Sequence, residues 1–237
     1  MSAAPGTAAT VREVGRLDFA FEPWDWPFAT ARRAEIDAHF AAARVARPEL
    51  FNGRILLLRA PRHEGDVFRA SYFESDFASL LAWRDWGFPG AGVYNGFGMG
   101  ALRGSDGVFV LGEMAPHTAN AGRIYFPAGT PEPGDVARNR VDIAGSVTRE
   151  VAEETGLTRA DYRPAARWHC VEAGASIALM RILDCGEPGE AVKRRIEAAL
   201  RTQSAPELAA IHLVRDRRDF TPAMPSFVTA FIDAMTE

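Results

Sequence analysis

Apolar and polar positions along the chain repeat with two periods, one of roughly 3.6 residues and one of about two, and the switches between them mark out the elements. In "PFATARRAEIDAHFAAARVARP", Phe28, Ile36, Phe40 and Ala43 form a helical stripe, following the aromatic, proline-punctuated stretch "FEPWDWPF". "NGRILLLRAP" reads as a short buried strand after an Asn-Gly turn. "SDFASLLAWRDW" reads as a helix with Ser75 or Asp76 at its N-cap. In "GMGALRGSDGVFVLGEM", two apolar runs flank Gly104-Ser105-Asp106-Gly107, a hairpin signal because Gly and Asp supply the positive dihedrals of tight turns.

"GRIYFPAG" adds a strand stopped at Pro127, "ARWHCVEAGASIALMRIL" one or two more, and "LAAIHLVRD" another. Helices are predicted in "EAVKRRIEAALRTQ" and "PSFVTAFIDAM". In the last, Phe227, Val228, Phe231, Ile232 and Met235 make an apolar face that must dock. The alternation predicts a mixed α and β protein with no internal repeat. "GFPGAG", at 87–92, suggests a division into an N-terminal α+β extension, 1–91, and a main domain, 92–237.

Composition narrows the function classes. Of 237 residues, 47% are hydrophobic and 24% charged, as in a folded globular protein. The formal net charge of -4 argues against a nucleic-acid binder that neutralises many phosphates. Cys170 and Cys185, the only cysteines, lack metal-ligand spacing, and no apolar stretch with a basic leader precedes them. The expectation is a reducing cytoplasm and no membrane span, with "MSAAPGTAAT" as a frayed tail.

One stretch carries more charge than its surroundings explain. In "REVAEETGL", residues 149–157, Glu153 falls at about 40° from Arg149 on a helical wheel, Glu150 at about 100° and Glu154 at about 140°. All three carboxylates share one face, while Ala144, Val147 and Val151 share the other. Asp142 stands where an N-cap would, Gly156 where a left-handed helix end would, and Leu157 can fold back behind it. Taken alone, such a triple reads as a solvated face. Carboxylates at these spacings repel one another, however; Arg149 can offset one charge, and a hard divalent cation, Mg²⁺ or Mn²⁺, suits the rest.

The stretch matches the second half of the Nudix box, R-E-U-x-E-E-x-G-U with U a bulky aliphatic, and "FPAGTPEPGD" resembles the first half. Gly129 is followed after five residues by Asp135, where the family has Glu. Between Asp135 and Arg149 stand thirteen residues where the family has seven; lifting out "VARNRV", 136–141, leaves Asp142 at the usual helix start. The resemblance implies a Nudix-type α/β/α sandwich around a mixed sheet, preceded by the α+β extension. The long N-terminal layer and enlarged loop also look like the branch that hydrolyses UDP-sugars.

What the resemblance implies for chemistry is Mg²⁺- or Mn²⁺-dependent hydrolysis of the diphosphate in a nucleoside diphosphate linked to another moiety. Carried over by position, Glu150 and Glu154 are ligands, Glu153 a third or water-mediated one, and the carbonyl of Ala128 or Gly129 a backbone ligand; Arg149 orients the cluster. A further acid outside the box would be Glu207 or Glu172, with Glu207 favoured on position. Arg123, Arg138 and Arg140 are candidates to hold phosphate oxygens, with a solvated loop as the alternative. Trp24, Trp26, Phe28, Trp83 and Trp86 stack a base or belong to a core or interface. His117, Thr118 and Asn120 bind sugar or phosphate or form a polar hairpin tip, and His39 and His169 are structural. Substrates of the coenzyme A or ADP-ribose type, a non-catalytic nucleotide sensor and a scaffold remain alternatives. By analogy, the N-terminal layer is a candidate homodimer interface.

Overall fold

A computed structural model describes residues 9–236. Strands β1 (Thr10–Val14) and β2 (Arg16–Phe21) open the chain, so only residues 1–8 of the expected tail lie outside the described residues, and Thr10 is already in a strand. Helices α1 (Pro27–Ala31) and α2 (Arg33–Ala46) follow, then β3 (Arg54–Glu64), β4 (Val67–Asp76) and α3 (Phe77–Asp85). Next come β5 (Val93–Arg103), β6 (Phe109–Met114), β7 (Ile124–Tyr125), β8 (Ala128–Gly129), β9 (Val136–Ala137) and β10 (Arg140–Val141). The chain closes with α4 (Ile143–Thr155), β11 (Tyr162–Pro164), β12 (Trp168–Ala173), β13 (Ser176–Cys185), α5 (Gly189–Leu200), β14 (Leu208–Val214) and α6 (Ser226–Thr236).

The sheet is mixed and runs β1-β12-β13-β5-β3-β4-β2-β10-β9. β5 is its hinge: Val93 and Tyr94 pair antiparallel with β3, and Asn95 onward pairs parallel with β13. The β5–β6 turn falls at the Gly-Ser-Asp-Gly signal, closed by Gly104 N–H to the Val108 carbonyl. Strands β1, β2 and β4 escape the periodicity reading. β4, "VFRASYFESD", alternates as a strand should, with Phe68, Ala70 and Tyr72 buried and Arg69 and Ser71 turned to Asp18 and Glu22.

Alternate residues of β5 face opposite layers. Gly98 and Gly100 lie under α4, where an added Cβ would come within 2.6 Å of Val147 Cγ2 and 2.5 Å of Val151 Cγ2. Phe97, on the opposite face of the pleat from Gly98, meets Phe227 of α6 edge-on. The result is an α/β/α sandwich, with α4 on one face and α6 on the other. α6 docks as its pattern requires, with Val228, Phe231 and Ile232 fully buried. One apolar core runs from Phe19, Leu58 and Tyr72 in the N-terminal layer through Met99 to Phe231, so strand pairing and packing both cross residues 91 and 92.

A smaller core lies beneath the N-terminal helices. Trp26 and Trp83 are buried and meet edge-on, and Ile36 of α2 packs on Ala78 and Ala82 of α3. Asp76, not Ser75, caps α3 by accepting from Ser79 N–H at 2.7 Å. Trp24 and Trp86 carry Arg59 and Arg32 on their faces. The tryptophans therefore build the layer, although Trp24, Trp26, Phe28 and Trp83 also line a cavity of about 240 Å³. No helix among the described residues is long and apolar enough to cross a membrane.

Candidate active site

The acidic helix is held at both ends by its own sequence. Asp142 Oδ1 accepts from Gly145 N–H at 2.9 Å, and Gly156 closes the helix at φ +72° with Leu157 buried behind it. The six residues before Asp142 form a closed hairpin where a lengthened loop was expected. Val136 pairs with Val141 and Ala137 with Arg140, and Arg138 and Asn139 take φ of +50° and +59° in a two-residue turn. Asp142 N–H donates to the Asp135 carbonyl at 2.9 Å, so the chain re-enters the helix from where it left.

Asp135 braces the loop. Its Oδ2 accepts from Glu132 N–H at 3.0 Å and from Arg149 at 3.1 Å. Arg149 also donates to Glu150 at 2.7 Å and lies 3.5 Å from Glu153. One guanidinium thus ties the loop to the helix face and orients Glu150.

The three glutamates are not equivalent. Glu153 is exposed, Glu150 is 15% exposed in its side chain and Glu154 is buried. Burial pushes the Glu150 carboxyl up to about 7, against the pull of Arg149 and with the push of Glu153 and Glu207. Burial also raises Glu154, opposed by the Ala128 N–H, which donates to its Oε1 at 3.3 Å. Glu154 Oε2 is buried and has no hydrogen-bond partner among the described residues. Gly129 makes room for this arrangement, since a Cβ there would overlap the Glu150 carboxylate.

Glu207, exposed just before β14, is close enough for its charge to act on Glu150, Glu154 and Tyr125. Glu172, its rival from the sequence, pairs instead with His63 at 2.9 Å. Arg140 reaches the buried Asp18 of β2, which also takes Arg69, while Arg138 sits exposed at the hairpin turn. Arg123 leads into β7, its N–H donating to the Asn120 carbonyl at 3.0 Å. The three arginines thus fall on two separate segments. His39 pairs with Asp85, and His169 is buried, its imidazole pushed toward neutrality by burial.

The donor set fits a hard divalent cation. Glu154 offers a buried, unpartnered carboxylate oxygen, and Glu150 lies within its electrostatic reach. As the side chains stand, with Glu150 turned to Arg149, no three acidic, imidazole or thiol groups among the described residues gather tightly enough to hold a metal ion. To join Glu154 around a cation, Glu150 would have to turn away from Arg149.

Comparison with known proteins gives partial likenesses. No protein-family model matches the sequence, and no curated protein matches it. Among solved structures, the chain is similar to RenU, a Nudix hydrolase from M. smegmatis, at 16% identity and TM-score 0.39, covering 60% of this chain and 87% of that one. It is similar to the MutT protein from Methanosarcina mazei Go1 at 19% identity and TM-score 0.37, covering 59% and 90%. It is also similar to DR0079 from Deinococcus radiodurans at 12% identity and TM-score 0.33, covering 52% and 75%.

Proposed function

We propose that the protein is a Nudix-type hydrolase that cleaves the diphosphate of a nucleoside diphosphate linked to another moiety, with a UDP-sugar as the leading substrate class. The observation that carries this reading is the capped helix that sets Glu150 and the unpartnered Glu154 oxygen beside Ala128–Gly129. Burying two like charges is costly, and a bound divalent cation offsets that cost while a structural role does not. Glu150, Glu154 and the Ala128 carbonyl would hold Mg²⁺ or Mn²⁺, with Glu153 at the rim. Such an ion supplies charge neutralisation of the diphosphate and lowers the pKa of water.

The chain's own groups do the remaining work. Arg149 keeps the acidic face in register with the loop, and Glu207 takes a proton from the attacking water. Water attacks one phosphorus, the bridging P–O bond breaks, and a nucleoside monophosphate and a phosphorylated partner leave. Most of the acceleration expected of such a site comes from positioning and charge stabilisation.

The test is turnover of UDP-glucose, ADP-ribose and coenzyme A with Mg²⁺ or Mn²⁺, with Glu154→Gln as control. Metal-dependent release of a nucleoside monophosphate by the wild type, lost in the variant, is the expected result. Inactivity on every diphosphate offered would overturn the reading, and tight metal-independent nucleotide binding without turnover would identify a sensor.

A further inference from the structure

A cavity of about 240 Å³ beside the acidic helix is lined by Glu49, Phe51, Phe77, His117, Thr118 and Glu207. Its two walls come from different parts of the chain. Glu49 and Phe51 lie between α2 and β3, and Phe77 begins α3, all in the N-terminal layer. The 117–120 turn forms the other wall and is tied to that layer by Arg47, which donates to the Ala119 carbonyl, and Arg84, which donates to Asn120 Oδ1, both at 3.3 Å.

The cavity adjoins the candidate active site through Glu207, whose charge acts on Glu150 and Glu154. Asn120 donates to the Tyr125 hydroxyl at 3.1 Å, and three residues on, Ala128 N–H meets Glu154. Glu207 belongs to the cavity lining, and its backbone carbonyl accepts from Ala115 N–H at 2.8 Å, at the foot of the same turn. A diphosphate held at the acidic helix therefore has one end beside this cavity.

The lining selects for donors. Glu49 and Glu207 offer carboxylates, and Thr118 has given its hydroxyl hydrogen to the Ala115 carbonyl at 2.9 Å, leaving lone pairs. His117 is the one side chain there able to donate. Phe51, 82% exposed, presents an uncovered ring at the mouth. A ligand that fits has an apolar face for the ring and many O–H or N–H donors at its edge. Uracil does not, because its single ring N–H lies between two carbonyls; guanine's N1–H and N2–H₂ edge comes nearer.

Resting on the hydrolase reading above, we infer that this cavity is a subsite for the sugar of a nucleoside diphosphate sugar, with Glu49 accepting from its hydroxyls and Phe51 covering its C–H face. The N-terminal layer then serves as half of the substrate pocket. The assignment separates recognition of the sugar from recognition of the base.

Calorimetry with UDP-glucose, UDP, GDP-glucose and GDP tests this on Glu154→Gln, which is expected to bind them without turnover. The sugar is expected to tighten binding about five- to tenfold over the matching sugar-free diphosphate, whichever the base. Adding Phe51→Ala or Glu49→Gln should erase that increment and leave the UDP and GDP dissociation constants where they were. The assignment is overturned if the sugar adds no affinity, if neither substitution touches the increment, or if Phe51→Ala weakens UDP and GDP equally with their sugars. A preference for GDP over UDP that vanishes with Glu49→Gln overturns it in favour of a guanine site. Failure of the wild type to hydrolyse any diphosphate removes the hydrolase reading itself, whereas loss of the sugar increment in an active enzyme removes only the subsite.

Discussion

At the scale of residues, the decisive pair is Glu150 and Glu154. Both carboxyls are raised by burial above the ordinary 4.5, Glu150 to about 7. The folded, metal-free protein therefore holds protons that the unfolded chain has released, and stability falls as pH rises through that window. For Glu150 alone the loss is of the order of 3 kcal/mol between acid and neutral pH. In excess chelator, the melting temperature should thus drop from about pH 5 to about pH 8. Glu154→Gln should flatten that slope and melt higher than wild type at the alkaline end, while costing at least about a hundredfold in kcat. A wild-type profile as flat as the variant's would show that the pair is not desolvated. Cation binding should also release protons near neutrality, read as a dependence of the calorimetric heat on the buffer's ionisation enthalpy.

At the scale of elements, α4 is placed by small residues beneath it and by its two ends. Gly98→Val or Gly100→Val should push the helix off β5 and cost about 1–3 kcal/mol in urea denaturation. Activity should fall further than stability, because the carboxylates move with the helix. Asp142→Ala should cost about 1 kcal/mol through the lost cap. Gly129→Ala works differently: its Cβ meets the Glu150 carboxylate, so the expected result is weakened Mg²⁺ binding with a smaller change in melting temperature. The 136–141 hairpin belongs to this scale too. It closes on itself at Asp135–Asp142 and leans on β2 through Arg140 and Asp18, which is why these six residues leave the acidic face undisturbed.

At the scale of the whole molecule, the two segments divided at "GFPGAG" share one sheet and one core. β1 pairs with β12 along its length, and Leu58 and Tyr72 pack over Gly96 of β5. Residues 92–237 expressed alone are expected to aggregate or to melt without a sharp transition, since they would expose those partners. The full chain should show one cooperative transition by circular dichroism. A fragment with a sharp, reversible melt would show that the N-terminal layer is dispensable for folding.

Local chemistry alone determined the acidic helix of this protein, its Asp142 and Gly156 ends, the β5–β6 turn and the apolar face of α6, because caps, turns and helical periodicity are set by residues a few positions apart. The bracing of Asp135 by Arg149, the pairing of Glu172 with His63 and the burial that separates Glu154 from Glu153 were decided only by the tertiary structure. Each depends on groups brought together across long stretches of chain, and on how much water their packing leaves. The turn of residues 136–141 into a hairpin likewise required β2 and Asp18 to lie alongside, more than a hundred positions away in sequence. Short-range pattern made the chemistry recognisable, and long-range burial gave each carboxylate its own character.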